Sequence, residues 1–107
     1  MSRSITMSVR GSVVEEELHL SLVELCRASG ATEQELAALI DEGALQPSGR
    51  RHEEWRFSGA SLRRARTAAH LAHDLEINAS GVALALDLLD QVASLQAQLG
   101  LKYASPA

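Results

Sequence analysis

The fold of this chain is decided by residues 20–47, whose sequence is LSLVELCRASGATEQELAALIDEGALQP. This stretch predicts two short helices joined by a glycine turn. Ser21 and Thr32 are typical N-caps, and a glutamate follows each of them three residues later, which is the spacing of a capping box. Gly30 and Gly43 are expected to end the two helices, because glycine adopts the left-handed backbone conformation without a steric cost.

Each predicted helix has one apolar side, since residues at positions i, i+3 and i+4 share a helix face. Helix, glycine turn and helix form a helix-turn-helix, whose second helix usually lies in the DNA major groove. The second helix of this chain carries four acidic residues and neither Lys nor Arg: Glu33, Glu35, Asp41 and Glu42. The stretch therefore has the layout of a DNA-binding helix-turn-helix, but its second helix is negatively charged instead of positively charged.

The composition is that of one mainly helical domain of 107 residues. Hydrophobic residues make up 46% of the chain but aromatic residues only 3%, so Leu, Val, Ile and Ala must build the core. The single cysteine, Cys26, excludes an internal disulfide and lies on an apolar helix face, where we expect a buried, unreactive thiol. No apolar run approaches the roughly 20 residues of a membrane span, and the first residues lack the pattern of a signal peptide. A cytoplasmic location is expected.

The charge of −4 is distributed in bands along the chain. Residues 32–49 carry four acids and no base, residues 50–73 carry six Arg and two Glu, and residues 74–107 carry four acids and one Lys. One basic segment therefore lies between two acidic segments, and the overall charge argues against non-specific binding of polyanions.

The remaining segments complete a winged head, residues 9–75, within a single domain of residues 1–107. A strand is expected within residues 9–19, where β-branched and alternating residues occur. Two short strands around the polar loop 48–53 predict a β wing, and Trp55 and Phe57 share the face that would pack on the helices. A third helix is predicted over 59–75 and a long C-terminal helix over 79–99.

The long helix has two apolar stripes and therefore needs two neighbours. One stripe, formed by Val82, Leu86, Leu89 and Ala93, is expected to pack on the head. The other continues to the helix end with near-heptad steps and predicts a coiled-coil dimer interface: Leu84, Leu88, Val92, Leu95 and Leu99. A single broad apolar face buried within a monomer is the alternative.

Catalysis finds little support in the sequence. It contains no glycine-rich phosphate loop, no Cys/His pair and no nucleophile elbow. His70 and His73 have a spacing that can ligate a metal, but they lie on a polar helix side, which solvation explains. We therefore expect no enzyme activity, no metal and no cofactor.

Two kinds of partner remain. DNA would be contacted through the basic wing and third helix, at Arg50, Arg51, Arg63 and Arg66, although the acidic second helix opposes binding to phosphates. A basic protein surface would instead be contacted by acids at the end of the third helix and along the fourth: Asp74, Glu76, Asp87 and Asp90. A structural subunit of another complex is also compatible with the sequence.

Two groups of residues resemble a known family. The first helix, Gly30, the segment 41–47 (DEGALQP) and Arg56-Phe57 are similar to the MerR-like helix-turn-helix group. More narrowly, the chain resembles the CbpM family of chaperone modulatory proteins over residues 19–99. The matching residues are Trp55-x-Phe57, His73-Asp74-Leu75, Gly81-Val82-Ala83, Leu86-x-Leu88-x-Asp90 and Leu95.

The resemblance implies a dimeric adaptor that binds the J-domain of a DnaJ-like co-chaperone. In this family such binding restrains the chaperone activity and the DNA binding of the partner. J-domains carry a strongly basic helix that reaches the Hsp70 chaperone, and an acidic modulator would compete for that helix. A MerR-like transcriptional regulator is the alternative function.

Overall fold

The computed structural model describes residues 18–100. It contains four α-helices, α1 (Leu22–Ser29), α2 (Glu33–Asp41), α3 (Gly59–Asp74) and α4 (Ala79–Gln98), and a short 3-10 helix at His52–Glu54. The predicted mainly helical class and the order of the four helices are confirmed. The strand predicted within 9–19 lies outside the described residues except for Leu18 and His19, which are not in a strand.

Both predicted capping boxes are present at the starts of α1 and α2. The Ser21 hydroxyl accepts from the Glu24 amide at 3.2 Å, and the Glu24 carboxylate accepts from the Ser21 amide at 2.8 Å. Thr32 and Glu35 repeat this exchange at 3.0 and 2.9 Å. Gly30 closes α1 with φ 86°, and its amide donates to the carbonyl of Cys26. Local chemistry thus fixes both helices and the turn between them.

The predicted β wing is wrong for the described residues, which contain no strand of regular length. Ser48 and Arg56 form a single antiparallel bridge with hydrogen bonds of 2.9 and 3.1 Å. Pairing stops there because Gly49 has φ 101°, outside the extended region, and the next residues wind into the 3-10 helix. The wing is therefore a compact loop, and a second bridge between Leu20 and Phe57 joins its end to the start of the head.

The core lies between α1, α2, α3 and the first two turns of α4. Phe57 is buried and Trp55 is half-buried, with the two rings edge to face at 6.4 Å, so the aromatic pair does pack the wing on the helices as predicted. The other buried apolar residues are Leu25, Ala31, Leu36, Leu39, Leu45, Ala65, Ala68, Ala69, Val82 and Leu86. Three alanines on α3 allow the neighbouring helices to approach closely.

Arg64 connects α3 to two other parts of the molecule. Its Nε donates to the backbone carbonyl of Ala44 at 2.9 Å, and its Nη1 contacts both carboxylate oxygens of Asp90 at 2.8 and 2.9 Å. One guanidinium thus holds the segment after α2 and the middle of α4 against α3.

Replacing Arg64 with methionine is expected to lower the free energy of unfolding by about 1–2 kcal/mol, because the Ala44 carbonyl and Asp90 both lose their donor. Asp90→Asn removes only a largely exposed ion pair and is expected to cost less than about 1 kcal/mol. Urea denaturation of the two variants measures the difference. Equal costs would show that the bond to Ala44 contributes nothing.

The far half of α4 leaves the head. Val82 and Leu86 are buried, but Leu89 is 51% exposed and Ala93 is exposed as well, so apolar packing on the head ends about two turns earlier than the sequence predicted. From Asp87 to Gln98 every residue is exposed. Asp90 is still held by Arg64 of α3, so the part of α4 that projects begins after it. At 1.5 Å per residue, residues 91–98 span roughly 12 Å, and apolar side chains cover much of this length.

Candidate functional site

The four acids of the predicted docking set lie along one connected part of the chain. Asp74 is the last residue of α3, Glu76 lies in the loop that follows, and Asp87 and Asp90 lie on α4. All four are exposed. The end of α3, the loop of residues 75–78 and the exposed side of α4 therefore all carry negative charge.

Their surroundings differ. Asp90 is held by Arg64, as described above, and Asp74 lies 2.6 Å from the His70 ring. Asp87 accepts from the side-chain amide of Gln91 at 2.9 Å, which leaves its charge in place. Glu76 forms no hydrogen bond or ion pair within residues 18–100. Glu76 and Asp87 therefore present the least neutralised carboxylates of the set.

Acids of α2 also tie the helices together, which spacing alone did not reveal. The Glu35 carboxylate lies 2.9 Å from Nε2 of His73 on α3, and Glu42 accepts from the Ser80 hydroxyl on α4 at 2.9 Å. Glu33 and Asp41 are exposed on α2. The surface that would enter a DNA groove is therefore acidic in the folded protein as well as in the sequence.

The arginines predicted for the DNA alternative lie on two separate elements. Arg50 and Arg51 are in the wing loop, where Arg51 pairs with Glu53 at 3.2 Å. Arg63 and Arg66 are exposed on α3, and Arg66 donates to the carbonyl of Ala28 at 3.3 Å. No basic residue of α2 joins them, because α2 contains neither Lys nor Arg.

The predicted dimer stripe is uncovered along its whole length. The exposed fractions are 60% for Leu84, 49% for Leu88, 49% for Val92, 56% for Leu95 and 71% for Leu99. From Leu88 onward the steps are four, three and four residues, which is the a/d spacing of a coiled coil. A contiguous apolar surface of this kind on a small domain marks an interaction site.

The structure places Cys26 on the half-buried side of α1. Burial raises the pKa of its thiol, and the nearby Glu33 carboxylate raises the pKa further. A thiol with a raised pKa holds less of the reactive thiolate at neutral pH.

Alkylation of Cys26 by iodoacetamide is accordingly expected to be at least about tenfold slower in the folded chain than in urea. The folded-chain rate should keep rising at pH values where the unfolded-chain rate has levelled off, because the thiolate forms at higher pH. A rate measured from pH 6 to 11 checks both points. Identical pH profiles for the two states would contradict the shift.

The described residues hold no group of three or more His, Cys, Asp or Glu suited to a metal ion. His70 and His73, the pair with ligand spacing, contact Asp74 and Glu35 respectively. Between Leu18 and Gly100, no helix is both long and apolar enough to cross a membrane.

Comparison with known proteins agrees with this architecture. Residues 20–101 match the family described as MerR HTH family regulatory protein. The chaperone modulatory protein CbpM of Coxiella burnetii (strain Dugway 5J108-111) is 33% identical over 91 residues, which cover 85% of this chain and 86% of that protein. CbpM of Pseudomonas putida (strain W619) is 37% identical over 81 residues, or 76% of this chain and 80% of that protein.

The chain belongs to the CbpM family of MerR-like helix-turn-helix proteins. The family recognised from the Trp55, His73 and Gly81 segments is thereby confirmed. The CbpM relatives are named as modulatory proteins and not as enzymes. The match to the MerR HTH family covers residues 20–101 and therefore includes all of α4.

Proposed function

We propose that this protein is a non-enzymatic adaptor that binds the J-domain of a DnaJ-like co-chaperone and inhibits its chaperone and DNA-binding activities. The observation that carries the proposal is the acidic outer surface of α2. In a helix-turn-helix that reads DNA this surface faces phosphates, and here it presents Glu33 and Asp41 to solvent. The relatives' name, chaperone modulatory protein, supports the same direction.

Charge complementarity supplies the mechanism. J-domains present a basic helix with which they reach Hsp70, and an acidic surface attracts that helix and orients the encounter. Occupying the helix blocks its use by Hsp70. Inhibition therefore needs only reversible binding, which fits a small domain without catalytic residues.

The docking residues in this proposal are Asp74, Glu76, Asp87 and Asp90. Glu76 and Asp87 carry most of the attraction because their carboxylates face solvent without a cationic partner among residues 18–100. Asp74 and Asp90 keep exposed oxygens beside His70 and Arg64 and add to the field at longer range. Screening by salt should weaken the contact, as it does for exposed charges generally.

The adaptor acts as a homodimer in this proposal, with the α4 stripe as the interface. Leu88, Val92, Leu95 and Leu99 supply the seam, and exposed Leu84 and Leu89 flank it. Two copies would bury these side chains against each other at about 25 cal/mol per Å² of apolar surface removed from water. A dimer also presents two docking surfaces to a dimeric or clustered partner.

The competing function is DNA binding by a MerR-like regulator through Arg50, Arg51, Arg63 and Arg66. It draws support from the family match alone. Glu33 and Asp41, which are exposed on α2, would then face phosphates and weaken the complex, since binding to duplex DNA depends on neutralising phosphate charge. The adaptor has no such conflict, because a basic protein surface is attracted by acidic residues.

Isothermal titration of the full chain with the J-domain of a DnaJ-like co-chaperone from the same organism tests the proposal. We expect saturable binding that weakens steadily between 50 and 300 mM salt. A J-domain whose basic helix has been neutralised serves as the control and should not bind. Absence of binding at micromolar concentrations by the unaltered J-domain would contradict the proposed function.

A further inference from the structure

An open cavity of about 340 Å³ lies between α2, α3 and the start of α4. Its walls are mostly apolar and come from small side chains on α3 and larger ones around them, including Ala69, Ala72, Ile77 and Val82. The α3 alanines leave room because they end at Cβ. A surface depression of this size and lining suits an apolar group that a partner inserts.

The rim of this cavity is acidic. Glu35 from α2 and Glu76 from the loop after α3 both line it. His73 and Asp74 belong to the last turn of α3 beside the rim, and Leu75, which follows them, is 60% exposed. An apolar floor and two carboxylates thus meet at one place, which the four-residue docking set touches only through Glu76.

We propose that this cavity is the anchoring point for the partner, and that it receives one apolar side chain from a basic amphipathic helix. Lys or Arg residues one turn to either side of that side chain would contact Glu35 and Glu76. The inference rests on the proposed function and specifies which part of the acidic surface holds the partner. It moves the centre of docking from α4 to the junction of α2, α3 and α4.

The acidic rim favours a basic partner over a second copy of this chain. Residues 79–98, which form the projecting apolar helix, contain neither Lys nor Arg.

Glu76 adds an argument from its backbone. Its φ is 56°, in the left-handed region, which glycine and asparagine adopt more readily than glutamate. A glutamate placed there gives up local conformational stability while its carboxylate makes no contact within residues 18–100. The carboxylate is therefore available to a cationic side chain of the partner.

Two substitutions test the inference by titration with the J-domain. Ala72→Leu fills the cavity from within and should weaken binding at least tenfold without lowering the urea midpoint. Glu76→Gly should weaken binding about three- to tenfold while the urea midpoint stays equal or rises. Ala37→Leu, the same addition on an exposed position of α2 outside the cavity, should bind like the unaltered chain. Wild-type affinity in the Ala72→Leu variant would overturn the inference.

Amide spectra of the ¹⁵N-labelled, unaltered chain provide a measurement that needs no variant. Addition of the J-domain should shift the signals of Ala69, Ala72, Ile77 and Val82. Shifts confined to Asp87–Leu99 would overturn the cavity as anchor while leaving the proposed function intact. No shift anywhere would contradict both.

Occupation of the cavity by this protein itself would also overturn the inference. A change of the same signals on removal of residues 1–17, without any partner, would identify the N-terminal segment as occupant. A dependence of those signals on protein concentration alone would identify a second copy. We expect neither.

Discussion

Replacing Leu88 and Leu95 with glutamate is expected to convert the protein from a dimer to a monomer. Both side chains are about half-exposed in the single chain and lie on the α4 stripe, where a second copy would cover them. Full burial of a leucine is worth about 1.5–3 kcal/mol, and the substitutions place like charges at the centre of the seam. We expect dimer affinity to fall at least about a thousandfold.

Sedimentation equilibrium at tens of micromolar distinguishes the two states, because one chain has a mass of 11.5 kDa. The unaltered chain should sediment at twice that mass and the double variant at the single mass. Ser94→Glu, an exposed position on α4 outside the stripe, is the control and should remain dimeric. A single mass for the unaltered chain would contradict the proposed interface.

Reversing the charges of Asp74, Glu76 and Asp87 together to lysine is the second change with a large expected effect. The three carboxylates face the basic partner in the proposed complex, and reversal replaces attraction with repulsion at each position. We expect J-domain affinity to fall by at least about a hundredfold at 50 mM salt, with a smaller loss at 300 mM. Isothermal titration at both salt concentrations measures the loss.

The matched control reverses Glu53 and Glu54 in the wing, which lie away from the α3–α4 loop in the chain and are equally exposed. That variant should bind within about threefold of the unaltered chain. Circular dichroism should show unchanged helix content in both, since the altered residues make no core contacts. Wild-type affinity in the triple variant would remove these residues from the docking surface.

The parts of the fold that local chemistry determines could be predicted from the sequence. Ser21 and Thr32 cap helices through hydrogen bonds to residues three positions later. Both partners of each bond are therefore close together in the sequence and can be recognised there. Gly30 ends α1 because glycine adopts the left-handed backbone conformation without a steric cost. The boundaries of α3 and α4 agree with the prediction to within one residue, because Ser58 and Asn78 are recognisable N-caps.

The parts that depend on distant contacts could not be predicted. From the sequence, Arg64 is expected to be one more exposed cation in a basic segment. In the structure it pairs with Asp90, which lies 26 residues away. Glu35 reads only as a capping residue, but it also holds His73 on another helix. Leu89 continues an apolar stripe by periodicity, yet its side chain is 51% exposed in the folded chain. The wing forms a 3-10 turn where the alternation of residues indicated strands.

In the candidate site, too, some features could be predicted from the sequence and others could not. Its charge was visible in the sequence, because the acids of α2, the α3–α4 loop and α4 are simply present there. The cavity was not visible, since it forms where three helices and a loop meet and its alanines resemble ordinary helix residues. Glu76 stands out only after the backbone is known, because its left-handed conformation leaves no mark in the sequence.

The central claim is that a helix-turn-helix fold here binds a basic protein rather than DNA. Sedimentation velocity of the fluorescently labelled chain, run once with excess J-domain and once with excess duplex DNA at 150 mM salt, tests it most directly. We expect faster sedimentation with the J-domain and an unchanged rate with DNA. Faster sedimentation with DNA and an unchanged rate with the J-domain would contradict it.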